Sequence, residues 1–170
     1  MMASNERLEG TMKGSYVEVT PNKELLERGY GSQRGDVLEL SLIEATYLLY
    51  KGELQVKDEE GRILGFEELT RLAAALDPVF WIKLLVYSDL RSRGLRVKPI
   101  EGSPVMIAER KVKEGERKYM VLCVEEGVRV GFRDLEMYIR RALESKRDLV
   151  LAIIDKEGNV SYYRVEKSMG

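Results

Sequence analysis

The residues able to carry chemistry in this chain are cations, carboxylates and phenols, because there is no histidine anywhere in it. An imidazole titrates near neutral pH, so its absence removes the usual general acid or base. The lone Cys123 excludes an internal disulfide and a multi-cysteine zinc site. Between 109 and 118, Arg110, Lys111, Lys113, Arg117 and Lys118 alternate with Glu109, Glu114 and Glu116. Such a stretch can touch phosphate or be a charged, exposed hairpin. Asp58-Glu59-Glu60 has the composition of an acidic turn rather than a cation site. Gly29-Tyr30-Gly31 lacks the strand-to-helix setting of a phosphate loop. No metal and no cofactor is expected.

These residues must be positioned by short elements. Residues 1–12 read as a frayed start, and Ser15 to Val19 as a strand. Thr20-Pro21 reads as a cap and first helical residue, with the helix stopped by Gly29. After a strand at Val37 to Leu40, Ser41 and Glu44 have capping-box spacing and open a helix to about Lys51. Leu54 to Val56 is a strand. Phe66 to Leu76 is a helix turning Phe66, Leu69, Leu72, Ala73 and Leu76 inward. Asp77-Pro78 opens another, closed by Gly94, with Val79, Ile82, Leu85, Val86 and Leu90 inward.

The second half changes rhythm. Strands are predicted at 95–100, 104–112, 118–124 and 127–131, then a helix at about 133–145 with Leu135, Ile139 and Leu143 inward. Strands at 148–155 and 159–166 close the chain. The apolar run Leu149 to Ile154 reads as a central strand buried on both faces. The expected class is α+β, or mixed α/β, in two domains, 1–77 and 78–170, the second with a mixed central sheet.

Charge is nearly balanced, 28 basic against 29 acidic residues, and 34% of residues are charged. That composition fits a thermophilic, cytoplasmic protein. The net charge of -1 argues against tight, purely electrostatic nucleic-acid binding by the chain alone, though a local basic patch, or binding as part of a complex, stays open. No apolar run reaches membrane-spanning length, and Met1 to Met12 lacks a signal-peptide stretch, so no membrane role is expected.

Two stretches resemble the archaeal tRNA-splicing (tRNA-intron) endonuclease family. One is Tyr30-Gly31 followed by Leu38-Glu39-Leu40-Ser41-Leu42-Ile43-Glu44-Ala45-Thr46-Tyr47-Leu48-Leu49. The other is Val86-Tyr87-Ser88-Asp89-Leu90-Arg91-Ser92-Arg93-Gly94-Leu95-Arg96-Val97-Lys98, similar to the segment that opens the family's nuclease domain. Leu149 to Tyr163 resembles its closing hairpin. The resemblance implies cleavage of precursor tRNA at intron boundaries, leaving a 2′,3′-cyclic phosphate and a 5′-hydroxyl. It implies a Tyr as base, a His as acid and a Lys that stabilises charge on the phosphorane.

At the corresponding positions this triad is degenerate. The Tyr position falls at Ala108 or Glu109, Glu116 stands where His would be, and Arg147 or Lys146 stands at the Lys position. A solvated carboxylic acid is already ionised at neutral pH and has no proton to give. The expectation is a chain without catalytic residues of its own, the structural subunit of an (αβ)₂ enzyme whose partner is a triad-bearing paralogue and whose substrate is precursor tRNA. A homomeric enzyme with displaced catalytic groups and a repurposed RNA-binding module are the alternatives.

The resemblance also implies interface residues. The loop Asp155-Lys156-Glu157-Gly158-Asn159 corresponds to an acidic loop that docks on an opposing subunit, and Tyr162 and Arg164 lie in a strand that pairs across a dimer. As a plain reading, the loop is a hairpin turn and the strand a solvated edge. Arg140 matches an arginine that holds an intron base by cation–π stacking, with a solvated helix face as the other reading. Arg140, Lys146 and Arg147 are the candidate RNA contacts.

Overall fold

The structure is a computed structural model and describes residues 7–166. It divides into two compact units within one helix, between Trp81 and Ile82. Each builds its own mixed sheet.

The first unit contains β1 (Leu8–Lys13), β2 (Tyr16–Val19), α1 (Lys23–Glu27), β3 (Ser32–Arg34), β4 (Val37–Ser41), α2 (Leu42–Tyr50), β5 (Leu54–Lys57), β6 (Ile63–Leu64) and α3 (Phe66–Leu76). The sheet order is β3-β4-β2-β1-β5-β6, with β1 and β5 parallel and the other neighbours antiparallel. Alternation along β2, β4 and β5 places Val17, Val19, Leu38, Leu40, Leu54 and Val56 in the core with Leu48 of α2 and Leu69 of α3.

The glutamate of the first motif explains that motif. Ser41 Oγ accepts the Glu44 N–H at 3.1 Å, and Glu44 Oε1 accepts the Ser41 N–H at 3.0 Å, the reciprocal box its spacing predicts. The second oxygen, Oε2, accepts the Gly31 N–H at 2.7 Å. One buried carboxylate thus fixes the start of α2 and the loop entering β3. Gly31 has φ 73°, and a Cβ there would lie 2.8 Å from Leu38 Cδ1, so both conformation and space require glycine.

The second unit takes over α4 (Phe80–Ser92) from Ile82 and adds β7 (Arg96–Pro99), β8 (Val105–Val112), β9 (Gly115–Glu125), α5 (Phe132–Glu144), β10 (Asp148–Ile154) and β11 (Val160–Val165). Its sheet order is β11-β10-β9-β8-β7, with β9 and β10 parallel across the α5 connection. On one face, Ala142, Leu135, Tyr138 and Ile139 of α5 pack on Val105, Met120, Leu122 and Leu149. The opposite face meets α4, where Tyr162 reaches Asp89 and Leu85 approaches Gly158. The mixed α+β class expected from the sequence is the one observed.

Several local readings are corrected. The frayed start fails from Leu8 onward, where β1 pairs with both β2 and β5; residues 1–6 lie outside the described residues. Asn22, not Thr20, caps α1, its Oδ1 accepting the Leu25 N–H at 3.0 Å. Leu72 and Leu76 of α3 and Leu85 of α4 are exposed, because each falls at the margin of its helix's inward stripe. In α5 it is Ala142 that faces the sheet, and Leu143 is 66% exposed. No strand forms at 127–131, where Gly127 turns the chain with φ 86°. β9 already has β8 and β10 as neighbours, so no sheet edge is left beside it for that segment.

Candidate functional site

The positions assigned to cleavage chemistry lie on the β8–β9 hairpin and at the α5–β10 junction. Strand register decides which of them share a face. Glu109 stands opposite Lys118, and Lys111 opposite Glu116. β10 begins with Asp148 opposite Tyr119, so Arg147 lies level with Lys118. Glu109, Glu116, Lys118 and Arg147 therefore belong to the α5 side of the sheet.

Arg147 is held there from both ends. Its N–H donates to the Ala142 carbonyl at 2.8 Å, closing α5, after Lys146 takes the left-handed φ of 56°. Its guanidinium donates from Nη2 to Glu109 Oε1 at 2.8 Å and from Nη1 to the Tyr119 carbonyl at 3.4 Å. The Arg147 side chain is only 13% exposed. A cation at this place is thus already neutralised by a carboxylate of its own chain.

Between Ala108 and Glu109, the structure puts Glu109 beside Arg147. Ala108 is fully buried on the opposite face, across from Tyr119. Tyr119, the nearest phenol along these strands, points with Ala108 and away from Arg147 by the same alternation. Glu116 is exposed two residues beyond Lys118, about 7 Å farther along the strand. Lys146 and Arg140 are exposed on the last turns of α5 and at its end. Glu109, Glu116 and Arg147 provide two acceptors and one committed donor. They offer neither an imidazole to protonate a leaving oxygen nor a phenol to take a proton, and among the described residues no group of side chains has metal-binding spacing.

The second motif is absorbed by a different job. Tyr162 Oη donates to Asp89 Oδ2 at 2.5 Å, Arg93 Nε donates to the same oxygen at 2.9 Å, and the Arg93 guanidinium lies 5.3 Å from the centre of the Tyr162 ring. Burial, then the Asp89 carboxylate, pushes the Tyr162 phenol well above its ordinary value. Arg91 Nε donates to Tyr87 Oη at 3.1 Å, and its Nη2 reaches the Val97 carbonyl at 3.4 Å. Gly94, at φ 88°, ends the helix. Asp89, Arg91, Arg93 and Gly94 thus bind α4 to β7 and β11. Nothing in the spacing within the motif alone points to the distant Tyr162.

The interface candidates form the β10–β11 hairpin. Asp155 Oδ1 accepts the N–H groups of Glu157 and Asn159, each at 2.9 Å, and these bonds hold its carboxyl below the usual range. Lys156, Glu157 and Asn159 are exposed around Gly158, whose φ is 85°. Tyr162 faces α4, whereas Tyr163 is 55% exposed on the other side of edge strand β11. Arg164 is exposed and pairs with Asp148 at 3.2 Å and Glu166 at 3.3 Å.

Comparisons with known proteins match both units. Residues 8–70 match the tRNA intron endonuclease, N-terminal domain, and residues 80–162 the tRNA intron endonuclease, catalytic C-terminal domain. A tRNA-splicing endonuclease of Pyrococcus horikoshii is 37% identical over 161 residues, 94% of this chain and 93% of that one. One from Methanococcus vannielii is 35% identical over 144 residues, covering 83% and 81%. One from Methanococcoides burtonii is 34% identical over 139 residues, which are 81% of this chain but 39% of that longer protein.

Proposed function

This chain belongs to the tRNA intron endonuclease family, and we propose that within it the chain is a non-catalytic subunit that assembles with a triad-bearing paralogue to excise introns from precursor tRNA. The observation that carries this reading is the ion pair of Glu109 and Arg147. Where the resemblance calls for a base and a free cation near the scissile phosphate, the chain holds a carboxylate closed on a guanidinium. A carboxylate facing a phosphate would oppose the charge that develops in the transition state instead of stabilising it. With no histidine in the chain, no displaced imidazole can make up the loss.

What the chain keeps supports an architectural role. The Asp155 loop is a pre-shaped projection, because its own side chain fixes the turn before any partner arrives. Edge strand β11 presents unpaired backbone and the exposed Tyr163. We assign the Asp155–Asn159 loop and β11, with Arg164, to contact with the paralogue in an (αβ)₂ assembly.

The test is reconstitution. The purified chain alone leaves an intron-containing tRNA uncut, and addition of the catalytic paralogue produces excision and a species of heterotetramer mass. Intron cleavage by the chain alone, freed of any second subunit, would overturn the proposal.

A further inference from the structure

The β8–β9 hairpin has two faces of different charge. On the α5 side, signs alternate: Glu109 opposes Lys118, Lys111 opposes Glu116, and Arg147 closes on Glu109. On the other side, Arg110 stands directly opposite Arg117. Within the hairpin, the neighbours that share this face are Ala108 and Tyr119 on one side of the pair and Val112 and Gly115 on the other, and none is a carboxylate. Asp148 of β10 lies level with Tyr119 on the same face, and Arg164 engages it at 3.2 Å. Both arginines are exposed, and among the described residues neither has an ion-pair partner. Directly opposed side chains on one face stand about 5 Å apart at Cβ, and like charges there repel. An arm that spends stability in this way has two planar cations side by side, ready for an anion that accepts from both.

We propose that Arg110 and Arg117 together contact the phosphate backbone of RNA, making the hairpin an RNA-positioning arm. Guanidinium groups match phosphate oxygens in pairs, and two of them can share one phosphate or grip adjacent ones. Arg117 is the residue after Glu116, the position assigned to the missing acid, but by alternation it faces the other side of the sheet, so this contact is separate from the cleavage positions. The choice of RNA over another polyanion rests on the endonuclease-subunit reading. The contact itself rests on the register. It also explains how a chain with a net charge of -1 can still offer RNA one local site.

The test uses the full chain alone and a fluorescently labelled RNA duplex interrupted by a bulge, with binding followed by anisotropy across a salt series. R110Q/R117Q binds about tenfold more weakly at low salt, and its log–log salt slope falls by roughly 1.5 to 2, the loss of two phosphate contacts. Each single variant loses about half that slope. K51Q/R71Q, which removes two exposed charges from the first unit, keeps the parental slope. Thermal melting of R110Q/R117Q at or above the parental midpoint shows that the arm still folds, as expected when a repulsive pair is removed. An unchanged slope in R110Q/R117Q overturns the proposal, as does an equal loss in K51Q/R71Q, which would assign the effect to total charge. Parental RNA binding by R110Q/R117Q combined with failure to join a catalytic paralogue also overturns it, and gives the face to an acidic protein surface. Intron cleavage by the reconstituted mixture is a separate readout, so this inference and the subunit assignment fail independently.

Discussion

The α4 side of the second unit and its β8–β9 hairpin are both rich in charge, yet they use it in opposite ways. On the α4 side, Asp89, Arg91 and Arg93 each have partners inside the unit, and they tie a helix to strands distant in sequence. On the hairpin, Arg110, Arg117 and Glu116 are exposed, whereas Glu109 is engaged by Arg147. Both regions lie within the stretch that matches the family's catalytic C-terminal domain, and the second holds the positions that the resemblance assigns to cleavage. The difference separates charge that holds a fold together from charge left facing water.

The comparison breaks if the partnered residues prove dispensable. The largest effect of removing a partnered carboxylate is expected at Glu44→Ala in the first unit, where one buried carboxylate serves the N–H groups of Gly31 and Ser41. Losing two charge-assisted bonds, with buried donors left behind, costs about 3 kcal/mol in denaturant unfolding. Asp89→Ala comes next, at about 2 kcal/mol, because it strands both Tyr162 and Arg93.

Tyr162→Phe sharpens the point through pH. A phenol raised by burial and by Asp89 contributes stability that is complete below its unfolded value near pH 10 and is lost as pH rises above it. The parent therefore loses stability more steeply than Y162F above pH 10, and below that Y162F is weaker by about 1 kcal/mol. Equal slopes in alkaline unfolding would break the assignment.

Arg147 gives a smaller effect. R147M alone costs about 1 kcal/mol, because Glu109 keeps some access to water, and the double variant E109M/R147M returns near to the parent. The smallest effect is on activity. In the reconstituted mixture, the proposed subunit role predicts that E116A and E109Q change intron cleavage by less than about twofold. A loss of tenfold or more would place a working group on this chain.

Much of the scaffold was readable from local signals. Ser41 and Glu44 announce a helix start, and Phe66 to Leu76 forms the helix its period predicts. What escaped was long-range pairing. β1 carries Gly10 and Thr11 and has little strand character of its own, yet it lies between β2 and the distant β5. A Cβ at Gly10 would come within 2.6 Å of Val17 Cγ1, a constraint that exists only once the strands have paired. Val128 and Val130 gave the opposite error, because alternation predicts a strand but cannot supply an unoccupied neighbour.

The same limit applies at the site. Arg147 was identifiable because it adjoins the Leu149–Ile154 run. Whether Ala108 or Glu109 faces it depends on a one-residue register that only the neighbouring strands define. The partnership of Asp89 with Tyr162 spans 73 positions and left no local trace.

That span has a consequence for biosynthesis. A ribosome makes α4 long before β11, so Asp89 and Arg93 must remain hydrated through nearly all of the second unit's translation. A nascent chain halted within β10 has the helix and most of the sheet but no phenol to join them. Cooperative closure of this unit is therefore a late event, reached only after Tyr162 has cleared the exit tunnel.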